Sequence, residues 1–277
     1  MELILPEKMM RVLLIGDIVG QDGLELTRDL LPRMRHDHKI DFVIANGENL
    51  DKGKGVSEFS AQKLIEAGVH VITSGNHIWD GKDADRILNK YDFILRPHNY
   101  PLSIPGKGIF YSDLKSNLKI AVVNLQGLSY MHPINCPFTT IDEILSRQDK
   151  QRPIYIIDFH AESTAEKQAL AWYLDGKVSA VIGTHTHVQT ADERILPKGT
   201  GFITDVGMTG PSDGVIGMDR EVAIKRFIEH RPHYYKLAEG ITRFNGILID
   251  INERDFKSIK LRRLNFSKAE YNGIKTD

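Results

Sequence analysis

Five short apolar runs along this sequence each stop at a side chain able to ligate a cation. Residues 11–15 (RVLLI) run into Gly16 and Asp17, and residues 42–45 (FVIA) into Asn46, Gly47, Glu48 and Asn49. Residues 69–73 lead to Ser74, Gly75, Asn76 and His77, and residues 154–157 to Asp158, Phe159 and His160. Residues 180–182 lead to Gly183, Thr184, His185, Thr186 and His187. Short runs rich in β-branched and aliphatic side chains read as buried strands. In α/β sheets, ligands bind beyond the carboxyl ends of the strands. If these strands are parallel neighbours, their polar tips converge.

The segments between the runs read largely as helices. Residues 24–34 carry apolar side chains at helical spacing, interrupted by Pro32. Ser57 is placed to cap a helix through residue 67, with Glu58 in its first turn. Residues 80–90, 163–174 and 221–228 read as further helices, the second capped by Ser163 with Glu166 at the capping-box position. Strands are expected at 120–124, 202–204, 246–251 and 259–264. Strand–helix alternation predicts an α/β fold, and the strand-rich later half predicts a second mixed or antiparallel sheet. The Pro- and Gly-rich stretch 97–108 predicts a long loop or a seam between halves. No repeat or linker divides the chain, so residues 10–277 read as one domain behind a short N-terminal extension, residues 1–9.

Charge narrows the functional classes. Lys and Arg number 36 against 37 Asp and Glu in 277 residues, a net charge of -1. That balance argues against a strongly basic nucleic-acid binder, while leaving room for a local patch. The single cysteine, Cys136, rules out an internal disulfide framework and fits a reducing compartment. No run approaches the ~18–20 apolar residues of a membrane span. The opening MELILPEKMM lacks the pattern of a signal peptide. The expected location is cytoplasmic, with no membrane partner.

The tips together offer two carboxylates (Asp17, Glu48), two amides (Asn49, Asn76) and three imidazoles (His160, His185, His187), with His77 nearby and no thiolate. Oxygen and nitrogen donors suit manganese, iron or zinc better than copper(I) or an iron–sulfur cluster. Seven side chains exceed what one divalent ion takes from a protein, so two ions fit the count better. His185 and His187 stand i, i+2, which in an extended segment points both the same way. Gly47, Gly75 and Gly183 precede these tips and let the backbone approach closely.

Each piece alone has a plainer explanation. Asp17 alone is a turn or cap residue, Glu48 with Asn49 a solvated turn, and Asn76 with His77 an Asx-turn. His160 alone is a hydrogen-bonded buried histidine. His36 and His38 read as a solvated helix end, and Trp79 and Trp172 as packing residues. Lys52 to Gly55 (KGKG) reads equally as a flexible turn or a phosphate contact. Residues 207–220 are a glycine-rich loop of open role. Two enzyme rivals fit worse. Amidohydrolase barrels place His-x-His on their first strand, and here it follows the carboxylates. Residues 16–20 lack the G-x-G-x-x-G spacing of a dinucleotide site.

The segments IGDIVG (15–20), NGEN (46–49), GNHIWD (75–80), DFHAE (158–162), GTHTHVQTADERILPKGT (183–200) and ITDVGMTGPSDGVIGMDRE (203–221) resemble the calcineurin-like metallophosphoesterases, most closely their YmdB-like branch. The resemblance covers about residues 10–251, and the last segment is specific to the branch. The superfamily's usual first motif, Asp-x-His, lacks its histidine here. The second, usually Gly-Asp-x-x-Asp, reads Gly47-Glu48-Asn49, the variant of the branch in which Glu48 replaces the bridging Asp and Asn49 serves one metal. The resemblance implies a four-layer αββα sandwich with two mixed sheets. It implies one metal held by Asp17, Glu48, Asn49 and His187, and a second by Glu48, Asn76, His160 and His185. His77 would be catalytic, facing the scissile phosphate without binding metal. The implied activity is hydrolysis of 2′,3′-cyclic nucleotides, and of other small phosphodiesters, by a metal-bridging hydroxide. Iron and manganese are the expected ions. A homo-oligomer and a link to RNA-related regulation are also implied. The rival from another class is a regulatory protein that binds metal or nucleotide with little turnover.

Overall fold

Alternate side chains of strand β1 (Met9–Ile15) enter two different cores. Leu13 and Ile15 pack with Leu30, Leu31 and Met34 of helix α1 (Gly20–Asp37) and Leu64 of α2 (Glu58–Ala67). Val12 and Leu14 pack with Ile120, Val122, Ile154 and Ile156 of a second sheet. On the far side of that sheet, Val123 and Ile157 meet Ile141 and Ile144 of α4 (Pro137–Ser146) and Leu170 of α5 (Thr164–Tyr173). Three cores between four layers make the αββα sandwich. The computed structural model describes residues 8–114, 118–147 and 152–273.

Among the described residues the first sheet has seven strands. Its order is β2 (Asp17–Ile18), β11 (Met208–Pro211), β12 (Thr242–Asn252), β1, β3 (Phe42–Asn46) and β4 (Val71–Thr73), with β13 (Ser258–Ser267) paired to β12. The second has six, in the order β5 (Ile109–Asp113), β6 (Lys119–Gln126), β7 (Ile154–His160), β8 (Ala180–Thr184), β10 (Gly201–Ile203) and β9 (Arg194–Ile195). Both sheets are mixed, but the strands that carry the polar tips are parallel. Ile15 is level with Ala45, Asn46 with Thr73, and His160 with both Gln126 and Thr184. The carboxyl ends of both sheets therefore finish at one edge of the sandwich.

Local chemistry explains several element boundaries. The Ser57 hydroxyl accepts the Ser60 N–H, and the Ser60 side chain returns the bond, closing a capping box. Gly68 then ends α2 with φ 108, a left-handed cap. Ser163 accepts the Glu166 N–H at 3.3 Å, yet only half of its expected box forms. The Glu166 carboxylate turns instead to the N–H groups of Leu128 (2.9 Å) and Ser129 (3.0 Å). Helix α1 continues through Pro32, because its buried face outweighs the lost backbone bond.

Other expectations need correction. The helix expected at 80–90 is a 3-10 turn over Asn76–Asp80 followed by α3 (Ala84–Lys90). Part of the 207–220 loop forms β11, which pairs with β2 and β12. Helix α4 was unforeseen, although Pro137 at its first position is a start signal. The helix expected at 221–228 is α6 (Arg220–Glu229), and α7 (Lys268–Gly273) closes the described chain. Trp79 packs edge-on to Tyr100 at 5.4 Å, whereas Trp172 is half exposed beneath Arg194. Residues 1–7 of the expected extension lie outside the described residues, and Met9 already pairs with Asn252. Among the described residues no helix is long and apolar enough to cross a membrane.

Candidate metal centre

Three imidazoles line the shared edge, and each has one ring nitrogen committed outward. His160 Nδ1 lies 3.0 Å from Thr184 Oγ1. That hydroxyl donates to Asp158 Oδ1 at 2.7 Å, so it accepts the His160 N–H. His185 Nε2 lies 2.9 Å from Glu162 Oε2, and His187 Nδ1 lies 2.9 Å from the Ile216 carbonyl. Each outer nitrogen therefore donates, so that a ring in its neutral form turns a bare nitrogen inward.

The inward side holds more acceptors. His160 Nε2 faces Glu48 Oε1 at 3.0 Å and His185 Nδ1 at 2.9 Å. His187 Nε2 faces Asn49 Oδ1 at 3.3 Å and Asp17 Oδ2 at 3.9 Å. Ligand atoms of Glu48, His160 and His185 all lie within 4.8 Å of one another. Asp17 Oδ1 and Asn76 Oδ1 are buried with no hydrogen-bond partner among the described residues. Lone pairs directed at lone pairs in a buried site need a proton or a cation between them. The donor types, imidazole nitrogen with carboxylate and amide oxygen, fit a divalent transition metal. The orphaned oxygens of Asp17 and Asn76 fit it too.

The charges respond to this crowding. Burial raises the Asp17 carboxyl well above the usual range, reinforced by Glu48 and only partly offset by His160. Burial also pushes Glu48 up, but His160 and His77 outweigh it and bring it down to about 2. Burial pushes His160 down, but Glu48, Asp17 and Asp158 outweigh it and hold it up at about 9. His185 falls to about 3 through burial and its neighbour His160.

The backbone at the last tip is not extended. His185 has φ 101 and His187 φ 64, both left-handed. The i, i+2 argument therefore fails here. The His185 N–H is drawn to Asp17 Oδ2 at 2.9 Å and the Thr186 N–H to Asp205 Oδ2 at 3.0 Å. The resulting arch aims His185 at His160 and Glu48, and His187 at Asn49 and Asp17. Close approach elsewhere depends on Gly75, where a Cβ would overlap the His160 ring.

His77 stands at the mouth, its side chain 31% exposed. Its N–H donates to Glu48 Oε2 at 3.1 Å, and its Nδ1 lies 2.8 Å from Asp80 Oδ2. Lys54, from the KGKG turn, reaches the same Asp80 oxygen at 3.2 Å.

Sequence reasoning missed Asp158, Glu162 and Asp205. The Asp158 carboxylate takes bonds from Thr73, Thr184 and Asn46 behind His160. Asp205 had an available signal: it follows the apolar run 202–204, and the strand-tip rule applied there selects it.

A four-layer sandwich of two mixed sheets, with carboxylates, amides and imidazoles gathered at its parallel strand tips, defines a metallophosphoesterase-like phosphatase fold. The chain belongs to the YmdB-like protein family, whose model matches residues 13–264. It is 49% identical over 256 residues to a 2′,3′-cyclic-nucleotide 2′-phosphodiesterase of Bacillus subtilis strain 168, covering 92% of this chain and 96% of that one. A solved structure described as a novel phosphatase of Mycoplasma pneumoniae superposes with a TM-score of 0.89 at 34% identity, covering 94% of each chain. A hypothetical protein from Thermus thermophilus superposes with a TM-score of 0.87 at 39% identity, covering 93% of this chain and 99% of that one.

Proposed function

We propose that this chain, acting as one domain over residues 10–277, is a dinuclear metal-dependent phosphodiesterase that hydrolyses 2′,3′-cyclic nucleotides. The observation that carries the reading is the inward turn of His160, His185 and His187 toward carboxylate and amide oxygens. The name of the Bacillus subtilis relative supports the substrate class. Asp17, Asn49 and His187 would hold one ion and Asn76, His160 and His185 the other, with Glu48 shared between them. Iron or manganese suits this donor set. Two bound divalent ions supply Lewis acidity, which activates water near neutral pH and neutralises charge on the phosphoryl oxygens.

The chain's own groups do the rest. Asp80, 2.8 Å from His77 Nδ1, fixes that nitrogen as the donor to the carboxylate. His77 Nε2 is then the atom that gives a proton to the leaving oxygen. The bond from the His77 N–H to Glu48 ties this acid to the carboxylate between the half-sites. The partial exposure of His77 leaves room for a leaving group that stays joined to the product sugar.

The test is hydrolysis of 2′,3′-cyclic AMP by purified protein with manganese, with and without chelator, beside 3′,5′-cyclic AMP. Chelator-sensitive turnover of the 2′,3′ ester is expected. No turnover in protein carrying two metals per chain would sink the substrate assignment.

A further inference from the structure

Beneath the arch that carries His185 and His187 lies an ion pair fully removed from solvent. Lys167 Nζ, on α5, sits 2.7 Å from Asp205 Oδ2, beyond β10, and both side chains are 0% exposed. The same carboxylate holds two peptide groups. Asp205 Oδ2 accepts the Thr186 N–H at 3.0 Å, and Oδ1 accepts the Gly207 N–H at 2.8 Å. The Lys167 stem runs under Gly183, where a Cβ would stand 2.9 Å from Lys167 Cδ.

A buried ion pair is a poor device for stability alone. Desolvating both charges costs several kcal/mol per ion, and apolar replacements of similar shape are often neutral or stabilising. What an apolar pair could not do is accept the Thr186 N–H. Thr186 is the residue between the two left-handed histidines, so its peptide is the keystone of the arch. Asp17 holds the preceding N–H, that of His185, from the opposite side. The two carboxylates grip consecutive peptides, one from each sheet. Lys167 neutralises Asp205 and stops it from moving toward Asp17 or the histidines.

We propose that Lys167 and Asp205 are positioning residues that set the arch, and through it the spacing between the half-sites served by His185 and His187. The inference rests on the metal-centre reading above. A shift of Asp205 moves the Thr186 peptide and so displaces both imidazoles together. Loss of the pair is therefore expected to weaken both half-sites.

The experiment is calorimetric titration with Mn²⁺, with metal content by elemental analysis, on wild-type protein and on the K167M/D205N variant. A control is R11M/D250N, which removes an ion pair at the opposite end of β1 (Arg11 Nη2 to Asp250 Oδ2, 2.9 Å). K167M/D205N is expected to keep its circular dichroism and to bind both Mn²⁺ ions at least about ten-fold more weakly, the scale seen for outer-shell metal partners. R11M/D250N is expected to bind as wild type does. Wild-type affinity in K167M/D205N, whatever its melting temperature, overturns the proposal. Equal weakening in the control overturns it too, because the loss would then be general softening. If K167M/D205N does not fold, D205E decides, since it keeps the charge but moves the carboxylate by one methylene. The same ten-fold loss is expected, and an unchanged affinity overturns the proposal. Wild-type protein that takes up no Mn²⁺ would sink the metal-centre reading itself, and this inference with it.

Discussion

Glu162 Oε2 lies 2.9 Å from His185 Nε2, on the side of the ring away from His160. The half-exposed carboxylate fixes the proton on Nε2 and leaves Nδ1 bare toward the centre. Removing it frees the ring to choose the other tautomer. Glu162→Ala is expected to weaken Mn²⁺ binding about 10- to 100-fold, and Glu162→Gln, which can still accept the proton, far less. Titration calorimetry on both variants checks this, and equal losses would remove the tautomer argument.

His77 should behave differently from the proposed ligands. His77→Ala is expected to retain two metals per chain while turnover of 2′,3′-cyclic AMP falls about 10²- to 10⁴-fold, the range for losing a general acid. Elemental analysis beside steady-state kinetics separates the two effects. Metal lost with activity per occupied site retained would contradict the assignment.

Gly75→Ala is a steric test of the centre. A methyl there would overlap both the His160 ring and the Glu48 carboxylate. The expected result is a folded protein with normal circular dichroism and sharply reduced metal content. Normal loading would mean that His160 is not held where the structure has it.

The acid limb of stability offers a check remote from the centre. Glu58 is bonded to Lys90 at 2.5 Å and Arg86 at 3.0 Å, and also to the Tyr91 hydroxyl. Lys90 first, then Tyr91 and Arg86, bring its carboxyl from an ordinary 4.5 down to about 2. A carboxyl lowered on folding contributes stability that is complete above its unfolded value and vanishes as pH falls through its folded value. The gap in Tm between wild type and Glu58→Gln should be widest near neutral pH and should close between about pH 4.5 and 2. A gap that stays constant over that range would show that the charge contributes nothing.

Much of the centre was legible because it obeys a one-dimensional rule. Each apolar run buries a strand, and the polar residues within three positions beyond it stand at or next to the sheet's carboxyl edge. Asp17, Glu48 and His160 follow from that rule with no knowledge of pairing. The αββα layering was expected from the family resemblance, and the later strands suggested the second sheet. What stayed hidden depends on partners distant in sequence. His185 and His187 seemed extended because their spacing says nothing of Asp17 and Asp205, which pull the peptides into a left-handed arch. Glu166 looked like a capping residue because the competing N–H groups of Leu128 and Ser129 are 38 and 37 residues away. Lys167 sits in a helix that reads as ordinary, and only the carboxylate beyond β10 explains its burial.

The level register of the parallel strands has a consequence for folding order. Asp17 and His185 touch, yet they are 168 residues apart in the chain. Groups drawn from both sheets cannot meet until the sheets have docked, so a nascent or half-folded chain offers no complete cage. A cation captured there would act as a rivet through both sheets, closing loops whose entropy grows only slowly with length. Capture would then certify a finished sandwich, and release would begin its opening at the edge where the strands end.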